Sequence, residues 1–355
     1  MSRPTRIIPP LPVAAFALAS LLPLPLLILG AATGGPALWA AFLYMALLTI
    51  LIDELIPLTA ATPDGEEFPA ADALLVGVAL GAILALALTT WALTHGTLSR
   101  PERVALFLTT GFWLGQVAHP AAHELIHRPA RALFRLGALV YICLLFGQHT
   151  SSHRLVHHAR VATTDDPNSA RPGEGYYRFL LRAWVGSFVK GLQAETALRA
   201  GKGGLHPYAV YLTGAALALA LAFTIGGLSG LLVWAGLALH AQSQILLSDY
   251  VQHYGLTRAT RPDGKAEPVG LQHSWNTPHW FTSAVLLNAP RHSDHHLNPG
   301  RPYPALRLPD AAPCLPWPLP LACMIALVPP LWRRMIRPHL GRWRARQNEM
   351  QDTAP

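Results

Sequence analysis

Charge is what this chain most lacks. Only 13% of its 355 residues are Asp, Glu, Lys or Arg, against about 25% in an ordinary soluble domain. The shortage is local: none of the four occurs from Ile7 to Ile52, from Ala73 to Ser99 or from Gly203 to Ser248. A membrane-spanning helix needs roughly 20 apolar residues, so the first and third runs each have room for two. Exposing such surface to water is unfavourable, which excludes an ordinary soluble fold. Cysteine is scarce too. Cys143, Cys314 and Cys323 form no Cys-x-x-Cys pair, which excludes an iron–sulfur cluster, a rubredoxin-like centre or a cysteine zinc site carried by this chain. No internal repeat is visible. The basic start, with Arg3 and Arg6 ahead of an apolar run, looks like a signal peptide, but the run is too long and continues into a second span.

The runs predict an all-α integral membrane protein with about six transmembrane helices and a cytoplasmic histidine-rich cap. The expected spans are 11–32, 37–58, 73–94, 104–122, 208–225 and 228–247, with turn residues Gly34, Gly35 and Pro36 and the Gly226–Gly230 stretch between members of a pair. The chain reads as one domain. Residues 1–122 hold the first four helices, 123–205 two histidine groups with interfacial helices, 206–247 a transmembrane hairpin, and 248–355 the remaining histidine motifs and a basic tail. The short stretch 136–147 is expected not to cross, which keeps every histidine group at one membrane face. The region 311–332 is interrupted by six prolines and reads as interfacial. The net charge of +8 does not point to nucleic acid. Its basic clusters flank apolar helices, as the positive-inside rule produces, and they offer an acidic protein a docking face.

Against this background the 17 histidines stand out. Nine fall into four groups: His123 and His127; His153, His157 and His158; His253; and His292, His295 and His296. Residues three or four apart share a helix face, so His123/His127, His153/His157 and His292/His296 can each present two imidazoles to one point. Neighbouring residues point about 100° apart, so the His157–His158 and His295–His296 pairs suit two adjacent metal ions, one imidazole each. Nine nitrogens exceed what one ion can hold. Imidazole suits Zn, Cu, Fe or Ni. His123-Glu124-x-x-His127 alone matches a zinc protease pattern, but that reading leaves the other histidines without a role, whereas redox iron uses all of them.

Taken together, the motifs resemble those of the alkane 1-monooxygenase and xylene monooxygenase hydroxylase family, a membrane branch related to the fatty-acid desaturases. The resemblance rests on His-Glu-Leu-Ile-His-Arg at 123–128, the stretch 161–170, His253-Tyr-Gly-Leu256, His273-Ser-Trp-Asn276 and Arg291-His-Ser-Asp-His-His296. It preserves their order from His123 onward. In the first hundred residues it is mainly a hydrophobic pattern. Gln252 and Ser152 stand where the family usually has Glu.

The resemblance implies a non-haem di-iron monooxygenase in which the nine histidines hold two iron ions and O2 is co-substrate. An apolar small molecule, an alkane or alkyl-aromatic, is the expected substrate, reached from the lipid bilayer through apolar walls. Electrons are expected from a rubredoxin or ferredoxin with its reductase. No catalytic side chain beyond the metal centre is expected. Glu124, Asp249, Asp294, His273 and Asn276 are candidates for supporting the ligands, since metal-bound histidines usually donate their second N–H to a carboxylate or carbonyl. Asp165 and Asp166 read as turn residues, Asp53 and Glu54 as interfacial acids, and His119, His149 and His240 as structural. The expected location is a bacterial inner (plasma) membrane, with the site at the cytoplasmic face. A desaturase or lipid hydroxylase of the same superfamily and a membrane metal transporter are the alternatives.

Overall fold

A computed structural model describes residues 6–63, 65 and 68–352. Four helices among them are long and apolar enough to cross a membrane: Val13–Thr33, Gly35–Leu55, Ala71–His95 and Pro207–His253. Their outer faces leave large aliphatic side chains uncovered, including Leu18, Leu29, Leu84, Leu217 and Leu232. Lipid is the solvent that suits such a surface, and this is a membrane protein.

The fourth helix is 47 residues long, about twice what one crossing needs. Its backbone leaves helical geometry at Gly226 (φ −147°, ψ 21°) and Gly227 (φ 59°, ψ −143°). Gly227 sits where a side chain is disfavoured, so the two apolar runs expected as separate spans are two arms joined at a glycine break. The expected span 104–122 lies in a continuous helical run. That run begins as Arg100–Trp113, passes through a π-helical turn at Leu114–Ala118 and ends as His119–Ile126.

Small residues let these helices approach. A β-carbon on Gly111 would overlap the His240 ring, and one on Gly115 would overlap Gln244. The core between the helices is fully enclosed around Leu75, Leu86, Trp113, Leu114, Leu237 and Ile245. The short helix Arg131–Cys143 is too brief to cross. Tyr176–Leu198 forms a long helix, within the region expected to hold interfacial helices, with exposed Leu181, Trp184 and Val185 on one side.

The all-α expectation needs one correction. Arg6–Ile8 and Leu58–Ala60 pair as a two-stranded parallel ribbon, Ile7 opposite Thr59. The helical hairpin 13–55 turns back on itself and brings its two flanks together, where extended segments can satisfy each other's backbone groups.

Candidate metal centre

Each histidine group reaches the site by its own helix end. His123 and His127 lie at the end of His119–Ile126. His253 is the last residue of the long helix. His292, His295 and His296 sit on the six-residue helix His292–Leu297. His153–His157 forms a π-helical turn in which the His158 N–H bonds the His153 carbonyl. That turn changes the expected pairing. Residues five apart now lie together, so His153 meets His158 and not His157. Such turns recur at functional sites.

The result is two groups of ring nitrogens, each packed within 4.8 Å: His123, His127, His153, His158 and His295 in one, His157, His253, His292 and His296 in the other. Both adjacent pairs are split, with one member in each group. The groups are neighbours, the His158 and His296 rings lying 4.7 Å apart.

The nitrogens fit metal ions. In the first group, Nε2 of His153 is 2.7 Å from that of His123 and 2.9 Å from that of His158, which is 3.1 Å from that of His295. In the second, Nε2 of His292 is 3.1 Å from those of both His253 and His296. Two neighbouring ligands on one ion, each bound at about 2.1 Å, would be about 3.0 Å apart. Hydrogen bonds do not account for the packing. The His253 Nδ1 donates to the His273 carbonyl, 3.2 Å away, which leaves its Nε2 as a bare lone pair. Nε2 of His127 and of His157 are buried with no partner at all. Converging lone pairs in a dry site call for a cation. Burial holds His123 down to about 3 and pushes His127, His153, His158, His292, His295 and His296 well below the usual histidine range. They are neutral, and therefore able to ligate, at pH 7.

A family model described as fatty acid desaturase matches residues 101–313. Over 342 residues the chain is 33% identical to alkane 1-monooxygenase 1 of Pseudomonas aeruginosa, spanning 90% of this chain and 87% of that protein. It is 31% identical over 269 residues to the alkane 1-monooxygenase of Ectopseudomonas oleovorans, spanning 73% of this chain and 66% of that one. The xylene/toluene monooxygenase hydroxylase component of Pseudomonas putida is 28% identical over 253 residues, spanning 69% and 67%. The chain belongs to the alkane 1-monooxygenase family. It is a monooxygenase, and the residues around its histidines can be read in that light.

The support of the monooxygenase's histidines differs from the sequence expectation. Asp166, read as a turn residue, is fully buried, and its Oδ2 lies 2.8 Å from Nδ1 of His157. Burial opposes charge on His157, but the Asp166 carboxylate outweighs it and raises the imidazole. Asp166 is itself held by Ser169 Oγ (2.6 Å) and the Asn168 N–H (3.0 Å). The cue was available in the chain: Asp-x-Asn-Ser two turns after the second histidine group.

Among the described residues, none of the five named candidates bonds a grouped histidine through its side chain. Asp294 binds Arg301 at 2.5 Å and accepts from the Arg307 N–H and the Asn298 amide. Asp249 accepts from Asn168 at 2.7 Å, which links it to the Asp166 loop. Glu124 accepts the Tyr303 N–H at 3.1 Å and faces Arg128; burial raises it to about 7. The His273 ring bonds Glu267 and the Gly270 N–H, and only its carbonyl reaches His253. Asn276 accepts the Ser293 N–H at 2.9 Å and donates to Ser293 Oγ at 2.7 Å, fixing the start of the helix that carries three histidines.

A cavity of about 410 Å³ opens onto both groups, with His123, His153 and His292 in its wall. Met45, Ile50, Leu180, Leu247, Leu319 and Met324 supply much of its apolar lining. The expectation of apolar walls is corrected, since Gln116, His119, His149, His240, Gln244 and Asp249 also line it. Sequence reasoning had set His119, His149 and His240 aside as structural.

Proposed function

We propose that the nine histidines hold two iron ions, five nitrogens on one and four on the other, and that the protein hydroxylates an unactivated C–H bond, at a terminal methyl, of an alkane or alkyl-aromatic. The net reaction is R–H + O2 + 2e⁻ + 2H⁺ → R–OH + H2O. When bound, the irons supply the reduction and splitting of O2. The chain's own part is position and dryness. His158 and His296 hold the two groups side by side. Asp166 fixes the tautomer of His157, and the His273 carbonyl does the same for His253. The aliphatic wall from Met45 to Met324 orients a chain by shape. The observation that carries this reading is that a partly apolar cavity ends on imidazoles from both groups.

The finer topology belongs to the same proposal. Six crossings, two of them the arms either side of Gly226–Gly227, place the site at the cytoplasmic face of a bacterial inner membrane, under a histidine-rich cap. One domain spans the chain. Electrons come from a separate rubredoxin or ferredoxin with its reductase, which meets the basic face there. Asp249, Asp294, Glu124, His273 and Asn276 act by holding the elements that present the ligands.

The test is expression in membranes with a surrogate rubredoxin system, followed by gas-chromatographic analysis of a mixed alkane and alkyl-aromatic panel. Alcohols are expected. Alkenes would move the assignment to a desaturase, and no product from iron-loaded protein would sink it.

A further inference from the structure

The polar lining of the cavity is more than a few stray groups. On the long helix His240, Gln244, Ser248 and Gln252 recur every four residues, one above another along the wall. Gln116 and His119, from the run that ends at Ile126, line the same cavity. Most of these groups are satisfied within the protein. Gln244 donates to the Gly111 carbonyl at 2.7 Å, Ser248 to Gln252 at 2.8 Å, and His119 shares a 2.9 Å bond with the Tyr141 hydroxyl. His240 keeps its buried Nδ1 without a hydrogen-bond partner among the described residues, its ring set beside Phe107 and Phe112, and two further residues that line the cavity are unmet as well. Gln116 Oε1 and both ring nitrogens of His149 are buried with no partner, and His149 is only 2% exposed. Leaving a buried polar atom without a partner is unfavourable. A hydrocarbon in the cavity would satisfy neither residue.

The chemistry of the two residues narrows what does. An amide presents an acceptor and a donor, and a neutral imidazole presents one of each. A carbonyl or ether oxygen can only accept, so it leaves Gln116 Oε1 unmet. A hydroxyl both donates and accepts: its one hydrogen goes to Gln116 Oε1, and its oxygen accepts the N–H of His149. Position narrows it further. The His149 ring stacks on His153 at 5.2 Å. Gln116 lies seven residues before His123, about 10 Å along the helix. The polar niche is therefore close to the first nitrogen group, on the cavity side.

We propose that the cavity takes a hydrocarbon that already carries a hydroxyl, bound by Gln116 and His149, and that the enzyme adds a second oxygen to a carbon within about 10 Å of the first. This rests on the hydroxylation reading above. The step is HO–R–H + O2 + 2e⁻ + 2H⁺ → HO–R–OH + H2O. One C–H bond breaks, one C–O bond forms, and the second O2 atom leaves as water with electrons from the external carrier.

The experiment compares 1-nonanol with n-nonane on the full-length, iron-loaded protein in nanodiscs. Two readouts are taken: equilibrium competition binding corrected for partition into lipid, and the ratio of kcat/KM for the two compounds. The alcohol is expected to bind about 10-fold tighter or more, the range of discrimination that a hydrogen-bonding site supplies. Gln116→Leu and His149→Phe should each shrink that advantage severalfold, through KM for the alcohol, with iron content measured alongside. Equal binding of the two compounds by the unaltered protein, or an advantage that survives Gln116→Leu, overturns the proposal. Failure to oxidise either compound sinks the hydroxylation reading instead, and the binding comparison still decides this one.

Discussion

His157 and His158 are neighbours in the chain but face different nitrogen groups, their ring centres 6.2 Å apart and their planes crossed at 77°. The π-helical turn that ends at His157 makes this split. One residue is thus committed to each group, and substitution can separate the two.

His157→Ala should strip the four-nitrogen group of its ion, taking the purified protein from about two irons per chain to about one. His158→Ala removes one nitrogen of five, so iron should be lost there only under chelator. Both variants should lose hydroxylation. Elemental analysis before and after dialysis against chelator checks the difference. Equal losses would argue against two unequal groups.

Asp166→Asn keeps the shape of the side chain beside His157 and removes its charge. Carboxylate partners of this kind are worth about 10–100-fold in metal affinity. Competition with a chelator should show a loss of that size for one ion and little change for the other.

Asp53 lies 227 residues before Trp280 in the chain, yet its carboxylate accepts the N–H groups of Phe281 (2.9 Å) and Thr282 (2.7 Å). It caps the helix Trp280–Val285 and is buried, so the reading as an interfacial acid is corrected. Asp53→Ala leaves two donors unmet and should cost about 2 kcal/mol or more. Unfolding in mixed micelles measures this.

Glu174 and Arg182 pair at 2.7 Å and tie the loop after the second histidine group to the helix Tyr176–Leu198. Burial opposes ionisation of Glu174, but Arg182 and the Arg171 N–H outweigh it, and the carboxyl titrates below its usual range. A depressed folded value stabilises the protein above the ordinary glutamate value of about 4.3, and the gain is lost as pH falls through the folded value. The melting temperature of the native protein should therefore exceed that of Glu174→Gln by a constant margin from pH 7 to about 5, and the margin should close at lower pH. A margin that grows on acidification would refute the pairing.

Much of the centre was legible before any coordinates. The nine histidines that converge are the nine that stand in tight groups, because spacings of one, three and four carry helical geometry directly. The pairing of His153 with His158 was not legible. Hydrogen bonding to the fifth residue leaves no mark on an i, i+4 pattern. Asp166 was missed because a local turn and a buried carboxylate look alike in sequence. Asp53 was missed because its partners are far away in the chain. Arg291 is a similar case: it is almost wholly buried, and its guanidinium donates to the carbonyls of Ala60 and Leu306.

Composition and spacing alone determined that this is a membrane-embedded helical protein with a histidine metal centre, since apolar run length and imidazole periodicity are local properties. The tertiary structure decided which nitrogens pack together, which carboxylate lies against His157 and that polar side chains share the cavity wall. Those outcomes depend on how distant helices pack, and on where glycines such as Gly111 and Gly115 let them meet. Pairwise distance across a fold is not written in the order of residues along it.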